Sequence, residues 1–304
     1  MAGILSKKNI KPLFIGFGKQ AIQYAKVFDY LKIQITAVCV KDLQKNKKKL
    51  DEFKIKNRFN SLISALSSKS YNCIFVFLPW YIIEKKIILI IKNSKKIIFC
   101  EKPLALSYRK LIKIEKASDS FNKKLYILYN RRYYKTLNFL KKNISKKYSI
   151  KITIPEKKNK IEKLLGSKII GKIKFHYTSH WIDFFKFLFD SEVNKLKKEH
   201  DKYFFTLINH KKKFKIIVEL FYSEDNSIKA VFKTKTKKYI LNSLEKLYVQ
   251  KLGSKKILIN EYKQNIFKPG ILKLVNNITK SSLKDLNTIK KLKKDYFFLQ
   301  KLPY

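Results

Sequence analysis

The feature that most constrains this chain is an alternation in its first 129 residues, where short apolar runs take turns with helical patterns. Leu13-Phe14-Ile15 reads as a strand. Residues 19–31 carry apolar side chains at 21, 22, 25, 28 and 31, which is helical spacing. A strand follows at 35–40 (ITAVCV), then a polar stretch around 42–60 and a strand at 73–78 (CIFVFL). Next come a helix at about 82–92, a strand at 97–100, a helix at about 107–120 and a strand at 125–129. Apolar runs too short for helices, separated by amphipathic helices, predict a parallel sheet covered on both faces.

The pattern changes after residue 130. Segments 148–154, 203–208, 214–222, 228–235 and 237–242 read as strands, with helical patterns at about 178–189 and 282–299. Asn209-His210-Lys211 and Glu224-Asp225-Asn226 read as short polar turns, and strands joined so closely are expected to pair antiparallel. The expected fold is therefore α/β: an N-terminal Rossmann-type parallel sheet over residues 1–129, then an α+β domain with an open, mainly antiparallel sheet over 130–304.

A formal net charge of +48 first suggests a polyanion partner. The composition argues otherwise. Of 70 basic residues only Arg58, Arg109, Arg131 and Arg132 are arginine, the side chain best suited to bidentate reading of bases and phosphates. Lysine, isoleucine, asparagine, phenylalanine and tyrosine abound while glycine and proline are scarce, the signature of AT-rich codons. The lysines run along the whole chain and form no basic arm, so they are read as a solvated surface, with neither nucleic acid nor membrane as partner. Residues 81–99 are apolar, but lysines at 85, 86, 92, 95 and 96 interrupt any spanning helix. Cys39, Cys73 and Cys100 each sit in an apolar run with no paired spacing. With no signal peptide in MAGILSKKNIKP, they are expected to be reduced thiols of a cytoplasmic protein.

Three strand ends carry candidate chemistry. The first runs into IGFGKQA, with Gly16, Gly18 and Ala21 spaced G-x-G-x-x-A around Phe17, Lys19 and Gln20. In that motif one glycine permits the tight turn and the next lets backbone approach a pyrophosphate. The small third residue packs the helix onto the strand, and the helix N-terminus faces the phosphates. The second strand ends Val40-Lys41-Asp42. Lys41 could pair with the 2′-phosphate of NADP, or Asp42 could hold the ribose hydroxyls of NAD; Lys41 tilts the reading to NADP. The third candidate is FCEKPLALS, residues 99–107, where an apolar strand delivers Glu101, Lys102 and Pro103 beside the Leu78-Pro79 turn of the preceding strand. Ligands of open α/β sheets bind outside these carboxyl ends. There a partly desolvated lysine can have its pKa lowered for proton transfer, and Pro103 could stiffen the turn through a cis peptide.

FIGFGKQA, FLPWY, CEKPLALS and LYNRRYY, in that order, together with HYTSHWIDFFKFL at 176–188, resemble the glucose–fructose oxidoreductase/inositol dehydrogenase (Gfo/Idh/MocA) family across essentially the whole chain. The resemblance implies NAD(P)-dependent hydride transfer at a hydroxyl or keto carbon of a sugar, sugar nucleotide or cyclitol, by a homo-oligomer. It matches Lys102 to the family's lysine at the nicotinamide and substrate hydroxyl, His180 to its acid/base histidine, and adds Arg131 to the cofactor-binding set. Where the family usually has an aspartate four residues before that histidine, this chain has His176. Asp183, one turn after His180, is a candidate orienter of the imidazole. The segment 155–175 is short and offers only Gly166 and Gly171, so the pocket is expected to be altered. An inactive cofactor-binding sensor or scaffold of the same fold is the alternative reading. His200 and His210 are taken as surface residues, and His176 and His180 lack a third ligand for a metal.

Overall fold

The structure, a computed structural model, describes residues 5–144, 149–155, 172–176, 178–199, 202–209, 214–223, 229–233, 237–242, 244–251, 254–264, 266–280 and 283–302. They form two compact units, Met1–Tyr129 with Ile271–Lys293, and Asn130–Gly270 with Lys294–Tyr304. The expected division at 129/130 did not foresee that residues 271–293 return to the first unit.

The first unit is built on strands β1 (Pro12–Ile15), β2 (Ala37–Cys39), β3 (Asn57–Phe59), β4 (Cys73–Val76), β5 (Ile97–Glu101) and β6 (Leu125–Leu128). All run parallel, in the order β6-β5-β4-β1-β2-β3. The order reverses between β1 and β4, which marks the crevice where a doubly wound sheet takes its ligand. Helices α1 (Lys19–Tyr30), α2 (Leu43–Glu52), α3 (Leu62–Ser67), α4 (Trp80–Asn93) and α5 (Tyr108–Ser120) make the crossovers. β1 and β4 are buried at every position, as strands covered on both faces must be. Phe14 anchors the core, with Phe28 at 5.5 Å edge-on and Phe75 and Phe77 at 5.6 and 4.9 Å.

Two stretches of this unit departed from expectation. The polar stretch 42–60 contains α2 and β3, hidden because only Leu50 of α2 is buried and β3 has no buried residue. The helical pattern over 282–299 begins instead with a 3₁₀ turn (Leu283–Asp285) and strand β15 (Asn287–Thr288), which pairs antiparallel with β6.

The second unit has one eight-stranded sheet. Its strands are β7 (Ser149–Pro155), β8 (Glu192–Glu199), β9 (Lys202–Asn209), β10 (Phe214–Ser223), β11 (Lys229–Lys233), β12 (Lys238–Asn242), β13 (Lys246–Lys251) and β14 (Ser254–Asn260), in the order β14-β13-β12-β11-β7-β10-β9-β8. The sheet is mainly antiparallel, as expected, with one exception. β10 and β11 are consecutive but do not pair: β7 lies between them, parallel to β10 and antiparallel to β11. β7 thereby satisfies backbone groups on both of its edges. Helix α6 is Lys135–Asn143 and α7 is Thr178–Phe189. Trp181, Ile182 and Phe185 of α7 lie against Val193, Phe205, Leu207 and Val218 of the sheet. On the other strand parity Ile217 is 54 % exposed, and Ile257 of β14 is 55 % exposed. The turn Glu224-Asp225-Asn226, and His200, His210, Gly166 and Gly171, lie outside the described residues. Among the described residues no helix is long and apolar enough to cross a membrane.

Candidate active site

At the end of β1 the chain turns through Gly16 with φ +87°, a conformation that side-chain-bearing residues rarely adopt. A Cβ there would come within 2.9 Å of the Phe77 carbonyl oxygen, so the loop after β1 lies directly on the end of β4. Gly16 N–H donates to Cys39 O at 2.8 Å, and Phe77 N–H donates to Ile15 O at 2.8 Å, extending pairing to the edge of the crevice. Phe17 is buried and packs on Phe14 and Phe53, so its ring belongs to the core and only its backbone remains for a ligand.

Gly18 differs. Its backbone is extended, and a Cβ added to it meets nothing within 4 Å. It is the N-cap of the 12-residue α1, whose first turn holds no acidic residue and whose cap makes no side-chain hydrogen bond. Open space over the positive end of a helix fits a pyrophosphate. Lys19 is exposed there, Gln20 half-buried, and Ala21 fully buried against the strand. The residues present thus fit a dinucleotide.

Lys41 and Asp42 are exposed just past β2. The Asp42 carboxylate accepts from Lys45 N–H at 2.8 Å as the N-cap of α2. This local role competes with the expected hold on a ribose. Leu78 is half-buried, and Pro79 caps α4, with its carbonyl accepting from Ile82 and Ile83 N–H.

Glu101 closes β5 and is buried. Its Oε1 accepts from Gln20 Nε2 at 3.0 Å, a bond across 81 residues. Lys102 is half-buried and its peptide to Pro103 is cis. The following turn sinks into the core, with Leu104 and Ala105 fully buried. It is latched at Leu106, whose N–H donates to Glu84 Oε2 of α4 at 3.0 Å. Cys100 is no competing nucleophile. Burial, with the Glu101 charge adding to it, holds its thiol well above the ordinary range. In the first unit, then, the glycine loop, the Leu78-Pro79 turn and the Glu101-Lys102 turn follow β1, β4 and β5, three neighbouring strands.

In the second unit His180 is buried on α7, and His176 is half-buried in the short helical turn Ile173–His176. Asp183 has a strong partner other than the imidazole. Its carboxylate takes two prongs of the Arg132 guanidinium, with Nε at 2.8 Å from Oδ2. Arg131, expected in the cofactor set, exerts its charge on Glu245, Tyr134 and Tyr262 within the second unit. Lys186 of α7 bonds Asp295 at 2.7 Å. Burial raises the Asp295 carboxyl above its ordinary value, while the Lys186 cation opposes that shift. Among the described residues no three His, Cys, Asp or Glu side chains gather as a metal site.

Sequence reasoning placed Gln20 in the glycine motif but missed its side-chain bond to Glu101, and it missed Glu84 and Arg132. The bonds of Gln20 and Glu84 span long sequence separations and leave no local pattern. Arg132 did leave a signal. In a chain whose codons favour lysine so heavily, a retained arginine marks a place where the planar fork is needed.

The fold and this edge define the class: an α/β dinucleotide-fold chain with a second, mainly antiparallel unit. Residues 10–129 match the family described as "Oxidoreductase family, NAD-binding Rossmann fold" (GFO_IDH_MocA). Over that stretch, which is less than half of the chain, it is similar to the nucleotide-binding unit of the Gfo/Idh/MocA oxidoreductases. A curated relative, the 2,7-anhydro-N-acetylneuraminate hydratase of Escherichia coli (strain K12), is 35 % identical over 101 residues. The match spans 33 % of this chain and about a quarter, 26 %, of that protein. Among solved structures, the dehydrogenase from Chromobacterium violaceum superposes with TM-score 0.75 at 12 % identity, covering 96 % of this chain and 94 % of that one. An oxidoreductase from Agrobacterium radiobacter, solved with NAD+, L-tartaric acid and magnesium, gives 0.70 at 15 %, covering 96 % and 94 %. The transcriptional regulator Gal80p from Kluyveromyces lactis gives 0.72 at 14 %, covering 97 % and 89 %. At such identities these three share the fold alone.

Proposed function

We propose that this chain is a cytoplasmic NAD(P)-dependent oxidoreductase acting at a hydroxyl or keto carbon of a carbohydrate or cyclitol. In this reading residues 1–129 hold the dinucleotide, and residues 130–304 hold the substrate and form the oligomer. The observation that carries it is the meeting, at the reversal of the parallel sheet, of an open glycine cradle with the strand end bearing Lys102. The nicotinamide, when bound, supplies the hydride acceptor or donor. Backbone N–H groups at the start of α1 receive the pyrophosphate. Lys102 presents a cation where alkoxide charge develops, a contribution that grows as water is excluded. His180 is assigned the acid/base role on the strength of the resemblance around 176–188, with His176 in place of a carboxylate beside it. Lys41 supports NADP over NAD. The sugar-derived substrate in the hydratase's name and the polyhydroxy acid bound by the Agrobacterium protein support a polyhydroxylated substrate. Exposed Ile217 and Ile257 on the sheet support association of copies, and three free, buried cysteines support a reducing compartment.

The test has two arms. Calorimetry should find saturable binding of NADP and NAD, NADP the tighter, lost in Gly18→Asp, which sets a charged side chain where the pyrophosphate would lie. Lys41→Asp should reverse the preference. In a turnover screen over sugars, sugar acids and cyclitols, Lys102→Met and His180→Ala should each slow the reaction by roughly 100-fold with cofactor binding kept. Lys113→Met, on an exposed face of α5, should change nothing. Equal turnover of Lys102→Met and Lys113→Met would favour the inactive-sensor reading, and unimpaired NAD binding by Gly18→Asp would remove the site.

A further inference from the structure

One hydrogen bond joins the glycine loop to the strand end that carries Lys102, and no motif anticipates it. Gln20 Nε2 donates to Glu101 Oε1 at 3.0 Å, from the first turn of α1 to the last residue of β5. The two halves of Gln20 do different things. Its backbone belongs to the anion-receiving end of α1, while its side chain turns to a carboxylate only 8 % exposed. A carboxylate so enclosed is held by donors or it is costly. An amide is a suitable donor here because it orients the carboxylate without neutralising it. An ionised carboxylate only accepts, with roughly four lone-pair sites in all, so one oriented in a ligand crevice is a receiver of hydroxyl protons.

The strand order says which hydroxyls. In a sheet of this topology the pyrophosphate lies over the loop after β1, and the adenosine ribose is read at the end of β2. Glu101 stands on the other side of β1, at the end of β5 in the order β5-β4-β1-β2. The half of a dinucleotide on that side is the nicotinamide riboside. We propose that Gln20 is a positioning residue of the dinucleotide site. Its side-chain amide sets the Glu101 carboxylate to accept from the ribose beside nicotinamide, so the helix that receives the pyrophosphate also aims the group that receives the sugar. This rests on the dinucleotide reading above and adds to it a link between its two ends.

The experiment compares NAD with ADP, which stops at the pyrophosphate, by calorimetry on wild type, Gln20→Leu and Gln20→Lys, with thermal unfolding to confirm that each is folded. Gln20→Leu should weaken NAD by about tenfold and leave ADP unchanged, since a hydrogen bond to a charged group is worth about that factor. Gln20→Lys restores a donor to Glu101 and should return the NAD-to-ADP affinity ratio to within about threefold of wild type. Should leucine not be accommodated, Gln20→Ala reads the same ratio. An unchanged ratio in the donor-less variant, whether both affinities hold or both fall, would overturn the proposal. So would a lowered ratio that lysine does not restore, because the effect would then be one of shape. A wild type that bound neither nucleotide would overturn the dinucleotide reading itself, and this proposal with it.

Discussion

Around the glycine loop the first unit works with backbone, and around His180 the second unit works with buried charge. At the carboxyl edge of the parallel sheet, Gly16, Gly18, Phe77 and the start of α1 contribute main-chain groups and open space, and the nearest side-chain bond, Gln20 to Glu101, joins a neutral amide to a carboxylate. On α7 Asp183 and Lys186 are each paired with a distant charge, Arg132 and Asp295, and all four are mostly enclosed. A backbone site is specified by strand, turn and helix signals a few residues apart. A buried charge site is specified by residues 51 and 109 positions apart, and nothing local announces it. The two also fail differently. Backbone sites break when a side chain is added, and charge sites break when one is taken away.

The largest effect should come from removing one charge of the second unit. Arg132→Met leaves Asp183 buried without its fork, and breaking such a pair typically costs about 3–5 kcal/mol. Arg132 also lies over the Phe187 ring at 5.3 Å, so packing is lost with the charge. The matched change in the first unit is Arg58→Met, which breaks an ion pair with an Asp51 that is half exposed. It should cost less than about 1 kcal/mol. Urea denaturation of both variants checks the contrast. Equal losses would mean that the burial of the Arg132–Asp183 pair does not govern its worth.

Next in size are the two glycines at which the units can be compared on equal terms. Gly16 and Gly270 both have positive φ, so alanine is strained at either, by roughly 1–3 kcal/mol. Surroundings separate them. At Gly16 the added Cβ meets Phe77 O at 2.9 Å, whereas at Gly270 it would collide with the Asn130 carbonyl oxygen in a turn already tied by Asn130 Nδ2 to Pro269 O at 2.9 Å. Gly270→Ala should therefore destabilise more than Gly16→Ala, while Gly16→Ala alone should impair nucleotide binding. Thermal unfolding beside NAD titration of each variant reads both consequences.

What the sequence made legible follows the same divide. β1, α1, β4, β5 and α5 were visible because their apolar residues recur at strand or helix period, and the glycine loop and the Glu101-Lys102-Pro103 turn sat between them. α7 was read at 178–189, where the structure has it. Elements with little buried surface were not seen. α2 buries only Leu50, and β8 only Val193, so lysine fills positions where a pattern would have shown. The insertion of β7 between β10 and β11 was out of reach, because adjacency in sequence argues for pairing. Asp183 was noticed as a candidate orienter of His180, one turn away, but its arginine partner from the 3₁₀ turn Asn130–Tyr133 was not foreseen. Gly270, in a turn with no motif around it, was overlooked.

The smallest effect is one of pH, and it sharpens the contrast at a second acidic site. Glu245 is buried beside Tyr134, whose hydroxyl donates to its Oε1 at 3.4 Å, and its neighbour Glu261 accepts from Thr136 N–H at 2.7 Å at the start of α6. Burial raises the Glu245 carboxyl above its ordinary value of 4.5; Arg131 opposes the shift and Glu261 adds to it. The folded protein therefore holds this proton more tightly than the unfolded chain does. Its contribution to stability is full below about pH 4.5 and is lost as pH rises through the higher folded value. Glu245→Gln keeps an acceptor for Tyr134 and removes the titration, so the second unit's stability should fall less steeply from pH 4.5 upward than in wild type. Urea midpoints across pH 4–8 decide it. If Glu245→Gln follows the wild-type slope throughout, enclosure of Glu245 does not set its protonation, and the charge-built character of the second unit ends at α7.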